Sequence, residues 1–304
     1  MMLGTRDVFE YLECRECGTL QLIDVPYLPR YYPDTYLSLG DAENVDLSRT
    51  STRRIAARMT GRYLVTGRGW AGKFILRLKP WVAFHYPFHD KPEELKLTLD
   101  SKILDFGCGT GHLLQSLHYF GFRSLTGADI FIKTDIEYST GVKIWKRGLS
   151  EIEPYFDLVM LNHSFEHLPN PKEALLEIRR TIVSGDYVLI RMPVVGDTWR
   201  RYGTDWIQLD PPRHLFLFTE IGFTALAEES GFSVEKVVYD SAGKQFWGSE
   251  QYRSDISLFD PRGHEYPNKG ELFSKEQMED WENEARRLNR LGRGDQAAFY
   301  LRKR

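Results

Sequence analysis

An acidic residue followed by spaced glycines near position 105 is the part of the sequence best suited to holding a ligand. Asp105 ends an apolar run, and Gly107, Gly109 and Gly111 follow it at every second position before a helical pattern. Glycines in such a turn let the backbone approach a ligand closely, because a Cβ would collide with it. A dinucleotide-binding loop needs its third glycine at the position of His112, so the spacing disfavours NAD and FAD.

Two carboxylates set the charge of this predicted site. Asp105 attracts a cationic group and repels a pyrophosphate. Asp129 ends the next predicted strand, where an acid can accept hydrogen bonds from both hydroxyls of a ribose. The glycine loop alone also fits a tight turn in another α/β protein. Together with Asp129, it predicts a site for a nucleoside that carries an amino-acid group.

This order of acid, glycines and second-strand acid resembles the first motif of the class I S-adenosylmethionine-dependent methyltransferases. The resemblance implies a Rossmann-like α/β fold and S-adenosylmethionine as the cofactor, and it requires no metal. The residues that it assigns to the cofactor are Asp105, Gly107, Gly109 and Gly111 for the methionine part, Asp129 for the ribose, and Ile130 and Leu149 beside the adenine.

A second motif follows a buried strand predicted over Phe156–Asn162. Asn162 and His163 stand where this strand ends, and ligands of open α/β sheets bind outside the carboxyl ends of strands, so both are expected to border the cofactor. The Glu-His-Leu-Pro run at 166–169 is similar to the same family's motif after the fourth strand, especially in the branch that methylates sugars, quinols and other small hydroxylated acceptors. His167 is therefore a candidate general base. The alternative is that this run only orders the loop.

The segment 199–214, after the fifth predicted strand, is too polar for a core and too aromatic for a linker. Loops of this length in compact domains are usually functional, and aromatic faces stack on sugar rings. His214 is a second candidate base, since this branch often places a histidine before the next helix; alternatively, it braces that helix. The residues expected to bind the acceptor are Tyr202, Trp206, Gln208, Asp210 and Arg213.

Short β-branched runs alternate with helical patterns from about residue 101 onward. This order predicts an α/β fold with a mainly parallel sheet, helices on both faces and an antiparallel last strand. No helix is expected between residues 130 and 141. The predicted strands are 102–106, 124–129, 142–146, 156–162, 187–192, 233–239 and 297–302, and the predicted helices between them are 111–120, 172–182 and 220–230.

Two further regions differ from this alternating pattern. Residues 1–99 are rich in Tyr, Pro and Arg and are interpreted as an N-terminal cap on a methyltransferase domain spanning 100–304. The domain carries an insertion at 242–296, which includes a charged helix that suits an exposed position. The predicted helices of these two regions are 47–60, 72–78 and 275–291, and an aromatic run at 81–86 is a candidate lid.

Two local patterns bear on the ends of the chain. Cys14 and Cys17 form half of a zinc knuckle, and a tetrahedral site needs two more ligands. Bacterial methyltransferases of the resembled branch commonly carry a complete N-terminal zinc segment with two such pairs. His85 and His89 have ligand-like spacing, yet two thiols in a structural turn are the favoured interpretation. The stretch 245–252 resembles one found in methyltransferases of bacterial surface-polysaccharide gene clusters, and it is expected near the acceptor.

The composition of the chain limits the classes of partner that it is expected to bind. The chain has 304 residues, 42% of them hydrophobic, with a net charge of −3, so no global field favours nucleic acid or an anionic membrane. No apolar run approaches the ~20 residues of a membrane span. The odd set of three cysteines argues against a disulfide framework. These features favour a cytoplasmic protein that acts on a small molecule; they do not indicate an oligomeric state.

The predicted function is S-adenosylmethionine-dependent methyl transfer to a small acceptor, a hydroxyl of a sugar or sugar nucleotide in polysaccharide biosynthesis. C-methylation of a keto-sugar needs a similar pocket and remains an alternative. So does a non-catalytic module that only binds a nucleoside. A nucleic-acid methyltransferase is disfavoured, because residues 162–165 read Asn-His-Ser-Phe rather than an Asn/Asp-Pro-Pro-Tyr or Phe motif.

Overall fold

The computed structural model describes residues 4–32, 51–79, 95–264 and 272–304. Its strands are β1 (Tyr11–Glu13), β2 (Leu20–Leu22), β3 (Lys102–Phe106), β4 (Ser124–Ala128), β5 (Ile136–Glu137), β6 (Lys143–Trp145), β7 (Phe156–Asn162), β8 (Ile182–Pro193), β9 (Phe216–Leu217), β10 (Phe232–Tyr239) and β11 (Gln296–Lys303). Its α-helices are α1 (Ser51–Thr66), α2 (Trp70–Leu78), α3 (His112–Phe120), α4 (Pro171–Thr181), α5 (Asp197–Tyr202), α6 (Glu220–Glu229), α7 (Lys244–Arg253) and α8 (Lys275–Arg290).

An eight-stranded sheet forms the centre of the fold, in the order β10-β11-β8-β7-β3-β4-β6-β5. The pairs among β8, β7, β3, β4 and β6 are parallel. Strand β11 runs antiparallel to both of its neighbours, and β5 runs antiparallel to β6. This confirms the prediction of a mainly parallel α/β sheet whose last strand is antiparallel.

Apolar side chains cover both faces of the sheet. On one face, Leu175 and Ile178 of α4 and Phe223 of α6 lie in a buried cluster with β7, β8 and β11. On the other, Leu114 and Leu117 of α3 pack in a second cluster with β3 and β4, to which α1 contributes Ala57 and Val65. The strands are buried on both faces, which is why their sequences are continuous apolar runs instead of alternating ones.

The sequence marks the ends of the helices that flank the site. Pro171 begins α4, where its missing N–H leaves no bond unmade, and the Thr219 side chain accepts a hydrogen bond from the N–H of Gly222 at the start of α6. Gly111 precedes α3 with a φ of +85°, in the left-handed region that favours glycine. Helices α3 and α4 follow β3 and β7 of the central sheet, whereas α6 follows β9 of a separate small sheet.

The N-terminal segment is tied to the C-terminal half by a small second sheet. Strand β2 pairs antiparallel with both β1 and β9, and β9 follows the 199–214 segment directly. The helix predicted at 47–60 is present from Ser51 and continues to Thr66, and the one at 72–78 begins two residues earlier. The candidate lid at 81–86, together with His85 and His89, lies outside the described residues. No helix in the described part of the chain is long and apolar enough to cross a membrane.

Two predicted elements need correction. Strand β8 begins at Ile182, five residues before the prediction, because the chain passes from α4 into the strand without a loop. Helix α7 was not predicted, because its apolar and polar residues are mixed around the helix. Its side chains are largely buried, because Gln245 and Ser249 hydrogen-bond inside the protein, with Thr198 and with the N–H of Ile207. The charged helix α8 of the insertion has the largely exposed surface expected for it.

Candidate active site

The glycine loop joins the ends of β3 and β7. Gly107 has a φ of +76°, and a Cβ there would lie 2.3 Å from the Cβ of Ser164. The hydroxyl of Ser164 donates a hydrogen bond of 2.8 Å to the carbonyl oxygen of Phe106. Only glycine permits both this backbone conformation and this approach. The first of the predicted glycines therefore holds the two strand ends together.

Asp129 fixes the shape of the same loop. Its Oδ2 accepts a hydrogen bond of 2.8 Å from the N–H of Gly109, and its Oδ1 accepts one of 2.7 Å from the N–H of Phe131. Ile130, which lies between Asp129 and Phe131 in the chain, is half exposed. Leu149 lies further along this edge, in a short 3-10 helix over Leu149–Glu151.

Asp105 is the acid of the loop whose ionised form is disfavoured by burial. It is 2% exposed, and its Oδ1 has no hydrogen-bond partner among the described residues. Burial, together with the nearby charge of Asp129, raises the pKa of Asp105 to about 8. The same burial and the same two carboxylates raise the pKa of the Cys108 thiol, which stays neutral. A ligand that brings a positive charge to this point stabilises the ionised form of Asp105.

The polar loop after β7 leads into a cavity of about 310 Å³ at the carboxyl ends of the strands. His163, the first residue of this loop, has a φ of +53°, which is uncommon for a residue with a side chain. Its ring faces away from the glycine loop, with Nε2 2.9 Å from Nη1 of Arg191 and Nδ1 3.5 Å from Oε1 of Glu166. Asn162 beside it accepts from the same guanidinium, at 3.3 Å.

Glu166, His167 and His214 form the innermost part of the cavity lining. The ring centroids of the two histidines lie 4.9 Å apart, and His214 Nε2 lies 3.9 Å from Oε1 of Glu166. Burial lowers the pKa of His214 to about 4. Burial alone would raise the pKa of Glu166, but His163 and the positive charge that the histidines can carry hold it well below its usual range. A carboxylate without exposed surface is thereby kept ionised beside two imidazoles.

The predicted acceptor residues divide into two groups. Gln208 and Asp210 line the cavity beside His214. Arg213 is 2% exposed and is paired with Asp210. Trp206 and Tyr202 lie away from the cavity, where the Trp206 Nε1–H donates 2.9 Å to Oδ2 of Asp295 and the Tyr202 hydroxyl donates 2.8 Å to Oε1 of Glu250.

Several lining residues were not singled out from the sequence. Arg191 lies on β8 and pairs with Asp240, its Nε 2.6 Å from Oδ2. Lys244 and Gln245 come from α7, the helix that the sequence did not predict but whose stretch was expected near the acceptor. The sequence feature that could have identified Arg191 is its place as a lone charged residue in an apolar strand. Such a buried charge needs a partner, which here lies near the end of the strand.

The N-terminal segment contacts this site directly. The Tyr11 hydroxyl donates 2.7 Å to the carbonyl oxygen of His214, and the Tyr32 hydroxyl lies 3.3 Å from Nδ1 of His167. Tyr32 also stacks on Phe131, with ring centroids 4.8 Å apart. Residues far apart in the sequence thus meet around one cavity.

Comparison with known proteins decides the family. The model of a family described as a methyltransferase domain matches residues 77–237, which contain the glycine loop, Asp129 and the motif after β7. The chain belongs to this methyltransferase family. Its cofactor is S-adenosylmethionine. The buried Oδ1 of Asp105, which has no hydrogen-bond partner among the described residues, and the glycine at 107 fit a cofactor with a cationic amino-acid end.

Similar proteins come from several organisms. A human protein named EEF1A lysine methyltransferase 2 is 36% identical over 89 residues, which are 29% of this chain and 33% of the human protein. The chain thus matches about a third of that relative's length. An S-adenosylmethionine-dependent methyltransferase from Mesorhizobium loti aligns with 67% of this chain and 91% of its own, at 15% identity and a TM-score of 0.43. An S-adenosylmethionine-dependent methyltransferase from Archaeoglobus fulgidus aligns with 67% of this chain and 86% of its own, at 18% identity and a TM-score of 0.41.

The half zinc knuckle is a tight turn in this methyltransferase. The N–H of Gly18 donates 2.8 Å to the carbonyl oxygen of Cys14, and the Cys17 thiol donates 3.2 Å to the hydroxyl of Thr19. Both cysteines are half-buried. Across residues 4–32, 51–79, 95–264 and 272–304, no third metal-ligating side chain joins this pair.

Proposed function

We propose that this methyltransferase transfers the methyl group to a hydroxyl oxygen of a sugar or sugar nucleotide in polysaccharide or glycoconjugate synthesis. The observation that carries the proposal is the polar lining of the 310 Å³ cavity beside His167 and His214. A sugar hydroxyl both donates and accepts hydrogen bonds, so a ring with several hydroxyls suits a pocket that offers both.

The charges of the lining support a neutral ring. Carboxylates come from Glu166, Asp210, Asp240 and Asp295, whereas the permanent cations are Arg191 and Lys244. A hydroxyl can donate to each of these carboxylates, but an anionic group placed among them would be repelled. A sugar nucleotide is therefore expected to place its sugar ring in the cavity and its phosphates outside it.

Within this proposal, the site residues have distinct tasks. Asp105, the three glycines of the loop and Asp129 hold the cofactor, which supplies the methyl group. Gln208 and Asp210 orient the acceptor, and His167 or His214 takes up the hydroxyl proton as the carbon–oxygen bond forms. Ile130, Leu149, Asn162 and His163 stay as predicted neighbours of the cofactor, and Tyr202, Trp206 and Arg213 as predicted supports of the acceptor.

The contacts of Tyr11 and Tyr32 support the proposal that residues 1–99 cap the acceptor cavity. Both tyrosines reach the two histidines of the domain at residues 100–304. The insertion 242–296 of that domain supplies Lys244 and Gln245 of α7 to the lining.

Turnover of defined acceptors tests the proposal. The purified chain is incubated with S-adenosylmethionine and a panel of nucleoside diphosphate sugars and free sugars, and S-adenosylhomocysteine release and product mass are measured. A sugar that gains one methyl group supports the proposal, and the carbon-13 shift of a labelled methyl group distinguishes O-methylation from C-methylation. Cofactor binding without turnover on any sugar contradicts it and favours the binding module.

A lysine ε-amine is the competing acceptor. The acidic lining also suits a cation, and the name of the human relative gives a protein lysine as its acceptor. Peptide and protein acceptors are therefore included in the same panel. S-adenosylhomocysteine release with these acceptors, and not with sugars, would replace the proposed substrate class by amines.

A further inference from the structure

Three side chains at the inner end of the cavity are arranged like metal ligands. Glu166 and His167 lie in the short 3-10 helix after β7, and His214 lies after the helical turn over Ile207–Leu209. Each offers one ligand atom, and these atoms all lie within 4.8 Å of one another. In the described part of the chain, this is the one such group of histidine, cysteine and acidic side chains.

The carboxylate of Glu166 lacks the partners that its burial demands. Glu166 has no exposed surface, and neither of its oxygens has a hydrogen-bond partner among the described residues. The nearest nitrogen of His163 is Nδ1, which lies 3.5 Å from Oε1. A buried carboxylate left without a partner is costly, so its position next to two imidazoles calls for a cation between them.

The hydrogen bonds of both histidines fix which ring nitrogen carries the proton. Nδ1 of His167 lies 2.7 Å from the carbonyl oxygen of Arg213, and Nδ1 of His214 lies 2.7 Å from that of Gln208. A carbonyl oxygen can only accept, so each Nδ1 carries the proton and each neutral ring keeps a lone pair on Nε2. Metal-binding histidines are typically oriented in this way, by donating their other N–H to a carbonyl or carboxylate.

We propose that Glu166, His167 and His214 bind one divalent transition-metal ion. Two imidazoles and a carboxylate suit zinc and neighbouring first-row metals, whereas magnesium and calcium prefer oxygen ligands alone. Ligands at about 2.1 Å from a tetrahedral ion lie about 3.4 Å from one another, so binding draws these side chains together by roughly 1 Å. This departs from the metal-free site expected from the sequence.

Glu166, His167 and His214 all line the cavity, so a fourth ligand would reach a bound ion from the cavity. Sites with three protein ligands and one open position are typical of catalytic metals. The open position would hold an acceptor oxygen or a water molecule, and the imidazoles would then act on the acceptor through the metal instead of as free bases. This role rests on the proposed function, whereas metal binding itself does not.

Arg191 and His163 are positioning residues for this site. Asp240 holds the Arg191 guanidinium, which donates to Nε2 of His163 at 2.9 Å, so that Nδ1 of His163 carries its proton toward Glu166. This chain of contacts explains why a histidine follows β7 with a positive φ. It aims one hydrogen-bond donor at the proposed carboxylate ligand.

Direct metal binding tests the proposal. The full chain is stripped with a chelator, checked for fold by circular dichroism, and titrated calorimetrically with Zn²⁺ and, by visible absorption, with Co²⁺. One equivalent of each metal is expected to bind. Because Cys14 and Cys17 form a competing thiolate pair, the titration is carried out in the Cys14→Ser, Cys17→Ser background.

Matched variants then locate the metal. Glu166→Gln and His214→Gln are each expected to weaken binding by about 100-fold or more, the upper end of what loss of a supporting group costs. His118→Gln removes an imidazole on α3 away from the cavity, and its affinity is expected to equal that of the parent. A folded parent that binds neither metal, or a Glu166→Gln variant that binds as tightly as the parent, overturns the proposal.

The acceptor assay separates this result from the proposed function. Metal binding at one equivalent without methylation of any sugar supports the metal site and rejects the sugar acceptor. Sugar methylation that is unchanged in chelator-treated protein, with no metal bound, supports the acceptor and rejects the metal site.

Discussion

The backbone N–H of Gly109 donates a hydrogen bond of 2.8 Å to Oδ2 of Asp129. Two motifs that are separate in the sequence are thereby one structural unit, in which the acid that directly follows β4 shapes the loop that follows β3. The other carboxylate oxygen accepts from the N–H of Phe131. Asp129 therefore serves the geometry of the cofactor loop as well as its charge.

Replacing Asp129 tests this double role. Asp129→Ala leaves two backbone N–H groups without their acceptor, and we expect binding of S-adenosylmethionine, measured by calorimetry, to weaken by about 1–3 kcal/mol. Asp157→Ala is the matched control, because Oδ2 of Asp157 also accepts a backbone N–H, from Lys102, at the opposite end of β3. Unchanged affinity in Asp129→Ala would exclude this acid from the cofactor site.

The raised pKa of Asp105 predicts a dependence of stability on pH. Its pKa is about 8 in the folded protein against an ordinary value near 3.8, so the folded state binds this proton more tightly than the unfolded chain does. The contribution of Asp105 to the free energy of unfolding therefore falls as pH rises from about 4 to about 8. Asp105→Asn is expected to remove this contribution and to raise the melting temperature of the free protein at pH 8.

The same carboxylate links cofactor binding to proton release. A cationic amino-acid group favours the ionised form of Asp105, so cofactor affinity is expected to rise with pH up to about 8. Calorimetry at pH 7 in two buffers of different ionisation enthalpy should show a proton released on binding. Asp105→Asn should lose that release together with most of the affinity. Equal heats in both buffers for the parent would contradict the assignment.

The contact between Gly107 and Ser164 gives a steric prediction. Gly107→Ala places a methyl group against Ser164 Cβ and imposes a positive φ on alanine, which we expect to cost about 2–4 kcal/mol of unfolding free energy. Chemical denaturation measures this cost. Ser164→Gly removes the clash but not the φ penalty, so Gly107→Ala should cost less in a Ser164→Gly background than in the parent. An equal cost in both backgrounds would mean that the backbone conformation alone requires glycine.

Elements with continuous apolar runs were predictable from the sequence. Strands β3 and β7 have the predicted bounds, because each is a buried run that ends in a polar residue or a glycine turn. The absence of a helix between residues 130 and 141 is also confirmed in the described structure, where that crossover contains only the two-residue strand β5. The residue pattern of a segment was sufficient to predict its structure wherever neighbouring residues alone decide its conformation.

The arrangement around Glu166 was not predictable in the same way. Its approach to His214 depends on how two irregular loops pack, and neither loop has a periodic pattern. The sequence singled out both histidines but not the burial of the carboxylate between them. Helix α7 was not predicted for a related reason. Its buried polar side chains form hydrogen bonds with residues that are distant in the sequence, and hydrophobic periodicity does not reveal such pairs.

Trp206 allows a structural role to be separated from a role in acceptor binding. Its Nε1–H donates to the buried carboxylate of Asp295, whose pKa burial raises to about 6, with the Trp206 hydrogen bond opposing that rise. Trp206→Phe keeps an aromatic face but removes the donor, so we expect a loss of about 1–3 kcal/mol in unfolding free energy. The loss should be larger at pH 8 than at pH 5, because only the ionised carboxylate loses its charge-assisted bond.

Steady-state kinetics of the same variant complete the comparison. If Trp206 acts only through Asp295, KM for the acceptor should change little at a temperature where the variant is fully folded. Tyr202→Phe is measured in parallel, because it removes a hydroxyl that donates to Glu250. It should also leave KM unchanged if these aromatic residues only support the fold. A selective rise in KM for Trp206→Phe would instead place the indole against the acceptor, in a conformation in which the 199–214 segment opens.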